Sequence, residues 1–127
     1  MKTTRRVLIG LFATAVMACA QPPAQQLTKN MSNGRRWAAL SFEQRVFLIN
    51  GIMEGLAMTD KADSYVAESS TVGEIVTALN QFYQDPANAA IPIIDGMIWF
   101  RHKVHGDSPE SLAAIVASMR SNATTRP

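Results

Sequence analysis

From Trp37 onward apolar residues recur at steps of three and four, and that period confines this part of the chain to helices. Ser41-Phe-Glu-Gln44 has the spacing of a capping box, in which the serine hydroxyl and the glutamine side chain satisfy amides that a helix start leaves free. Phe42, Val46, Ile49, Met53 and Leu56 follow at alternating steps of four and three, and Phe47, Leu48 and Ile52 widen the face, predicting a central helix. Thr71-Val-Gly-Glu74 repeats the box. Val72, Ile75, Val76, Leu79, Phe82 and Tyr83 then mark one face until Asp85-Pro86 stops the run. A third helix starts around Ile91-Pro92, where proline is tolerated in a first turn, and passes through Ile94, Met97, Ile98 and Val104 to Gly106. Ser108-Pro109-Glu110 opens a fourth, with Leu112, Ile115, Val116 and Met119 on one face. No alternating strand pattern and no solenoid repeat is present. The expectation is an all-α domain over residues 37–121, a small four- to five-helix bundle, with a frayed tail over 122–127.

The chain before Trp37 reads differently. Lys2, Arg5 and Arg6 precede Val7–Ala18, an uncharged apolar stretch, which is the layout of a secretory signal peptide over residues 1–18. Twelve residues rise about 18 Å as a helix, short of the ~30 Å hydrocarbon layer, so a spanning helix is not expected. The single cysteine stands where this stretch ends, in Val16-Met17-Ala18-Cys19. That tetrad resembles the lipobox of bacterial lipoproteins. The resemblance implies cleavage between Ala18 and Cys19, diacylglycerol on the thiol and acylation of the new amino group; two acyl chains hold firmly where one holds marginally. Alanine after the cysteine implies, for a Gram-negative cell, the periplasmic leaflet of the outer membrane. The alternative is ordinary cleavage after Ala18-Cys19-Ala20, an A-x-A match that leaves Gln21 first. Residues 19–36 are rich in Gln, Pro, Asn and Ser and are expected to form a flexible tether with a reach on the order of 20 Å.

Charge follows the same division. The full chain carries 12 Lys+Arg against 10 Asp+Glu, and three of those cations lie in the signal segment, so the remainder is close to neutral. The excess that would argue for nucleic acid therefore belongs to the targeting segment, and no nucleic-acid partner is expected.

For chemistry, the sequence holds no nucleophile elbow, phosphate-cradling Gly loop, HExxH pair or calcium loop, and no cofactor is expected. Three weaker sets remain. Asp95, His102 and His105 lie at offsets of seven and ten on the third helix, a carboxylate and two imidazoles that could bind a divalent metal or exchange protons. Read structurally, the two histidines lie beside Arg101 and Lys103 at a solvated helix C-terminus that the dipole favours. Asn50-Gly51-Ile-Met-Glu54-Gly55 places a GxxxG pair in the expected central helix. Each glycine costs about 1 kcal/mol of helix propensity, which argues for close helix packing or a bound group, with Asn50 and Glu54 making an internal polar contact. Tyr83, Asp85 and Asn88 lie in the connector after the second helix, either as turn-closing residues or as an exposed recognition corner.

The stretch Phe82-Tyr83-Gln-Asp85-Pro86-Ala-Asn88-Ala-Ala-Ile91-Pro92-Ile93, with the GxxxG helix before it, resembles a group of small bacterial envelope lipoproteins that share a Phe-Tyr-x-Asp-Pro-x-Asn-x-x-Ile-Pro-Ile connector. The resemblance spans about residues 37–120 and implies a helical envelope domain; it carries no activity with it. The general plan is similar to the periplasmic immunity proteins that neutralise type VI secretion amidase effectors, and more distantly to HdeA-like acid chaperones. Both usually carry a cysteine pair, this chain has no cysteine after Cys19, and no residue is transferred from them.

These readings favour a non-enzymatic, lipid-anchored envelope protein that binds a partner in the periplasm, protein or peptidoglycan-associated; a homodimer is compatible with so small a core. Its alternatives are an effector-immunity protein and a metal or enzymatic role centred on Asp95, His102 and His105. A metal role requires stoichiometric metal in the purified protein that the paired substitution His102→Ala/His105→Ala removes, and elemental analysis decides it.

Overall fold

Both capping boxes form as their spacing predicts. In the computed structural model, which describes residues 23–124, the Ser41 hydroxyl accepts the Gln44 amide at 3.3 Å while Gln44 Oε1 accepts the Ser41 amide at 2.9 Å. Thr71 and Glu74 make the same exchange at 3.3 and 2.8 Å. The Thr71 amide and then its hydroxyl hold the Glu74 carboxyl below its ordinary value.

The described chain is mostly helical. A 3-10 turn (Pro23–Gln26) leads into a two-stranded antiparallel hairpin, β1 (Leu27–Thr28) and β2 (Met31–Ser32). Helices α1 (Gly34–Ala39), α2 (Phe42–Ala57), α3 (Ala62–Tyr65), α4 (Val72–Phe82), α5 (Ile93–Val104) and α6 (Pro109–Thr124) follow. The frayed tail expected from residue 122 is corrected to that extent: the helix continues through Thr124. Residues 1–22, with the signal stretch and Cys19, and residues 125–127 lie outside the described residues.

The core joins Trp37, Ile49, Ile75, Val76, Leu79, Ile93 and Met97. Helix α5 packs against α3, α4 and α6, whereas α2 packs against α4 and α3 on one side. The expectation that α2 is central is therefore corrected: Ile49 is its one buried residue, and Phe47 and Met58 are 75% and 89% exposed. Phe47 lies about 200° round the helix from Ile49, and Met58 about 180°, so they point away from the neighbours that Ile49 meets. The wide apolar face was real, but only one stripe of it is covered.

The tether expectation is likewise corrected over residues 23–36. Thr28 Oγ1 donates to the Ala90 carbonyl at 2.6 Å, and the Gly34 and Arg35 amides donate to the Ile91 and Ala89 carbonyls. Asn33, fully buried, donates through Nδ2 to the Gln25 carbonyl and Thr28 Oγ1, and its Oδ1 caps α1 by accepting the Arg35 and Arg36 amides. Polar composition that reads as tether is here a set of groups matched to the backbone of the α4–α5 connector. The hairpin turn places Lys29 and Asn30 at φ 50° and 63°, the left-handed geometry that two-residue hairpins require.

The Tyr83 ring joins these parts. It lies over Gly34, its hydroxyl donates to the Ile91 carbonyl at 3.1 Å, and Trp37 and Phe82 flank it at ring distances of 6.3 and 5.1 Å. A Cβ on Gly34 would overlap the ring, and one on Gly96 would lie 2.7 Å from Leu79 Cδ2 and 3.2 Å from the Tyr83 hydroxyl. A Cβ on Gly51 or Gly55 would meet nothing within 4 Å. Gly34→Ala and Gly96→Ala are expected to destabilise by about 1–3 kcal/mol through overpacking. Gly51→Ala and Gly55→Ala should stabilise by up to about 1 kcal/mol each through helix propensity. Urea denaturation of the four variants checks the opposed signs.

Candidate functional site

The connector after α4 is closed by its own polar side chains. Asn88, 4% exposed, donates through Nδ2 to the Phe82 carbonyl at 2.7 Å and accepts Arg120 Nε at 2.8 Å. Arg120 also reaches Asp85 Oδ2 through Nη2, while Asp85 Oδ1 accepts the Ala87 amide at 2.9 Å. One carbonyl at the end of α4 and the last turns of α6 are thus tied to the same turn. The reading of Tyr83, Asp85 and Asn88 as an exposed corner is corrected for two of the three. Tyr83 and Asn88 are turned inward because buried donors and acceptors need partners, and only Asp85 remains exposed.

The other two sets also separate. His102 Nδ1 lies 2.8 Å from Asp107 Oδ2, in the turn that follows α5. His105 is exposed and lines a recess with Asp63, Glu68 and Arg101. Asp95 lines another recess near the opposite end of α5, with Thr28, Lys29 and Asn122. Among the described residues no three His, Cys, Asp or Glu side chains gather as metal ligands. The physical reason is rise as well as face: seven residues are about 10 Å of helix, too far for two side chains to share one ion without large reach. Asn50, Gly51, Glu54 and Gly55 are all exposed on the outer side of α2, so the GxxxG pair is neither a packing seam nor an internal groove here.

What these corrections leave is a surface. The outer side of α2 presents Phe47 and Met58 with the bare backbone of Gly51 and Gly55 between them, and Phe42, 63% exposed, stands at the start of the helix. Phe42 borders a cleft of about 640 Å³ whose walls include Thr77, Gln81, Phe100 and Lys103. Gln81 and Lys103 also border a second cleft of about 570 Å³, floored by Phe82 and Trp99 and walled by Leu112, Val116 and Arg120 of α6. Lys103 Nζ sits 5.2 Å from the Trp99 ring centroid, a cation–π distance. Projecting α2 around Ile49 places Phe47 and Met58 on the back of the helix, a sequence signal for this surface.

Compared with known proteins, the chain matches no family model, no curated protein and no solved structure. No helix among the described residues is long and apolar enough to cross a membrane.

Burial raises the pKa of Asp95, with Lys29 opposing the shift. A carboxyl held above its unfolded value contributes stability below that unfolded value and loses it as pH rises through the folded one. Asp95→Asn is therefore expected to be more stable than the parent at pH 7, with the advantage disappearing below about pH 4. Urea midpoints of both proteins across pH 3–7 check the sign.

Proposed function

We propose that the protein is a non-enzymatic, lipid-anchored component of the bacterial cell envelope that binds a protein partner through the outer side of α2. The observation that carries this reading is the exposure of Phe47 and Met58 on the outer side of α2, facing away from the core. A small domain has little reason to leave such side chains in water unless something covers them. Bare glycine backbone between Phe47 and Met58 lets a partner approach closely. The anchor reading rests on the lipobox-like Val16-Met17-Ala18-Cys19 at the end of an apolar signal stretch.

Two measurements test the two halves of the proposal. Cys19→Ser is expected to abolish incorporation of labelled palmitate and release the protein from the membrane fraction; an unacylated parent overturns the anchor. A photo-crosslinking residue at Phe47, introduced into the native envelope, is expected to give one discrete adduct that the same residue at exposed Ser118 of α6 does not. Adding Met58→Glu should reduce that adduct about tenfold, with stability changed by no more than about 0.5 kcal/mol. Equal, diffuse labelling from both positions overturns the binding face.

A further inference from the structure

The domain has two poles of different character, and chain geometry fixes which of them an anchor at Cys19 would hold. The described chain begins at Pro23, four residues after Cys19, and four residues span at most about 14 Å. The segment that begins there is fixed against one end of the fold. Thr28 bonds to Ala90, the Gly34 amide to Ile91, and the hairpin shares a recess with Pro92, Asp95 and the end of α6 at Asn122. Helix α5 starts at this pole and runs about 18 Å to the other, where its end meets α3 and the loop after it.

Charge differs between the two ends. At the hairpin pole stand Lys29, Arg35, Arg36 and Arg120, against Asp85, which Arg120 already pairs, and Asp95, which Lys29 faces. At the far pole, Asp63, Glu68, Glu74 and Asp107 outnumber Arg101 and Lys103. Close to neutral as a whole, the mature chain therefore carries its positive charge at the end where its N-terminal segment emerges. Two apolar side chains stand out from the hairpin at the same pole, Leu27 at 43% and Met31 at 40% exposure. Thr28 pairs with Met31 and Leu27 with Ser32, so Leu27 and Met31 lie on opposite faces of the tip, Leu27 on the outer face and Met31 at the rim of the recess that Thr28 and Lys29 line.

We propose that this pole is a membrane seat: the hairpin tip, with Leu27 and Met31 beside Lys29, and with Arg35 and Arg36 behind it, rests on an anionic phospholipid bilayer. The proposal rests on the anchoring of Cys19 given above and adds the orientation of the domain. A short anchor holds Pro23 within about 14 Å of Cys19, so the hairpin can reach the headgroups, where basic side chains are attracted over about a Debye length, while the acidic far pole stays beyond that range. The α2 face then stands at the side of the domain and stays free for a partner.

The full chain, expressed with its own signal segment and reconstituted into vesicles, tests this. An environment-sensitive fluorophore is placed at Met31→Cys, or at Met58→Cys near the far pole. In vesicles of phosphatidylglycerol and phosphatidylethanolamine, the label at 31 is expected to shift to the blue and be quenched by headgroup spin-labelled lipid, and the label at 58 is not. Lys29→Glu with Arg36→Glu should cut the quenching at 31 at least about threefold, as should phosphatidylcholine vesicles or high potassium chloride, while the protein still floats with the vesicles. Circular dichroism confirms that the variants keep their helix content. A protein that floats with a label at 31 as water-exposed as that at 58 overturns the seat and leaves the anchor standing. A protein that neither floats nor carries acyl chains by mass overturns both.

Discussion

The fold depends on one aromatic ring seated against two glycines. Tyr83 lies at the end of α4, where its ring covers Gly34 and its hydroxyl lies against Gly96 while donating to the Ile91 carbonyl. The N-terminal segment, the connector and α5 can all approach α4 only because neither glycine carries a Cβ. Burial, with Asp95 nearby, pushes the Tyr83 hydroxyl far above its ordinary pKa, so it stays a neutral donor. A phenylalanine at this position would fill the same space and leave the Ile91 carbonyl with one bond fewer.

Around that ring, polar groups are matched in pairs. Asn33 and Asn88, the two buried polar side chains among the described residues, each bond to backbone groups and to a side chain on another part of the fold. Asn80 Oδ1 accepts both the Trp37 indole N–H and Arg45 Nη1, and the Arg45 guanidinium lies over the Trp37 ring. These bonds give direction to a core that is otherwise small and apolar, and they draw the hairpin, α1 and α6 onto the α2–α4–α5 framework. Arg101 is the exception: its Nε is buried with no partner.

How far the chain could be read depended on whether local rules decided the outcome. Capping boxes and periodic apolar runs act within a few residues, and Ser41, Thr71, Ile75 and Leu79 do what their spacing predicts. The hairpin and α1 were missed because their stability comes from bonds to residues some sixty positions away, such as Thr28 to Ala90, which composition does not express. The position of α2 was misread for a related reason: a wide apolar face specifies what is available for burial, and the number of neighbours decides how much is used. Asn88 had its turn-closing role visible in the Asp85-Pro86-Ala-Asn88 pattern, but its partner Arg120 lies 32 positions on.

Helix α6 is attached in a way that sets it apart. It buries no residue fully, packs through half-buried Leu112, Ile115, Val116 and Met119, and holds the connector through Arg120. Fewer buried contacts mean that it opens at lower free energy than α4 or α5. It is also the last of the described helices to leave the ribosome. The framework of α1, α2, α4 and α5 can therefore assemble around Tyr83 before α6 arrives. Until then the Phe82–Trp99 floor is open along its length, and the domain's own C-terminal helix is the first amphipathic segment to occupy it.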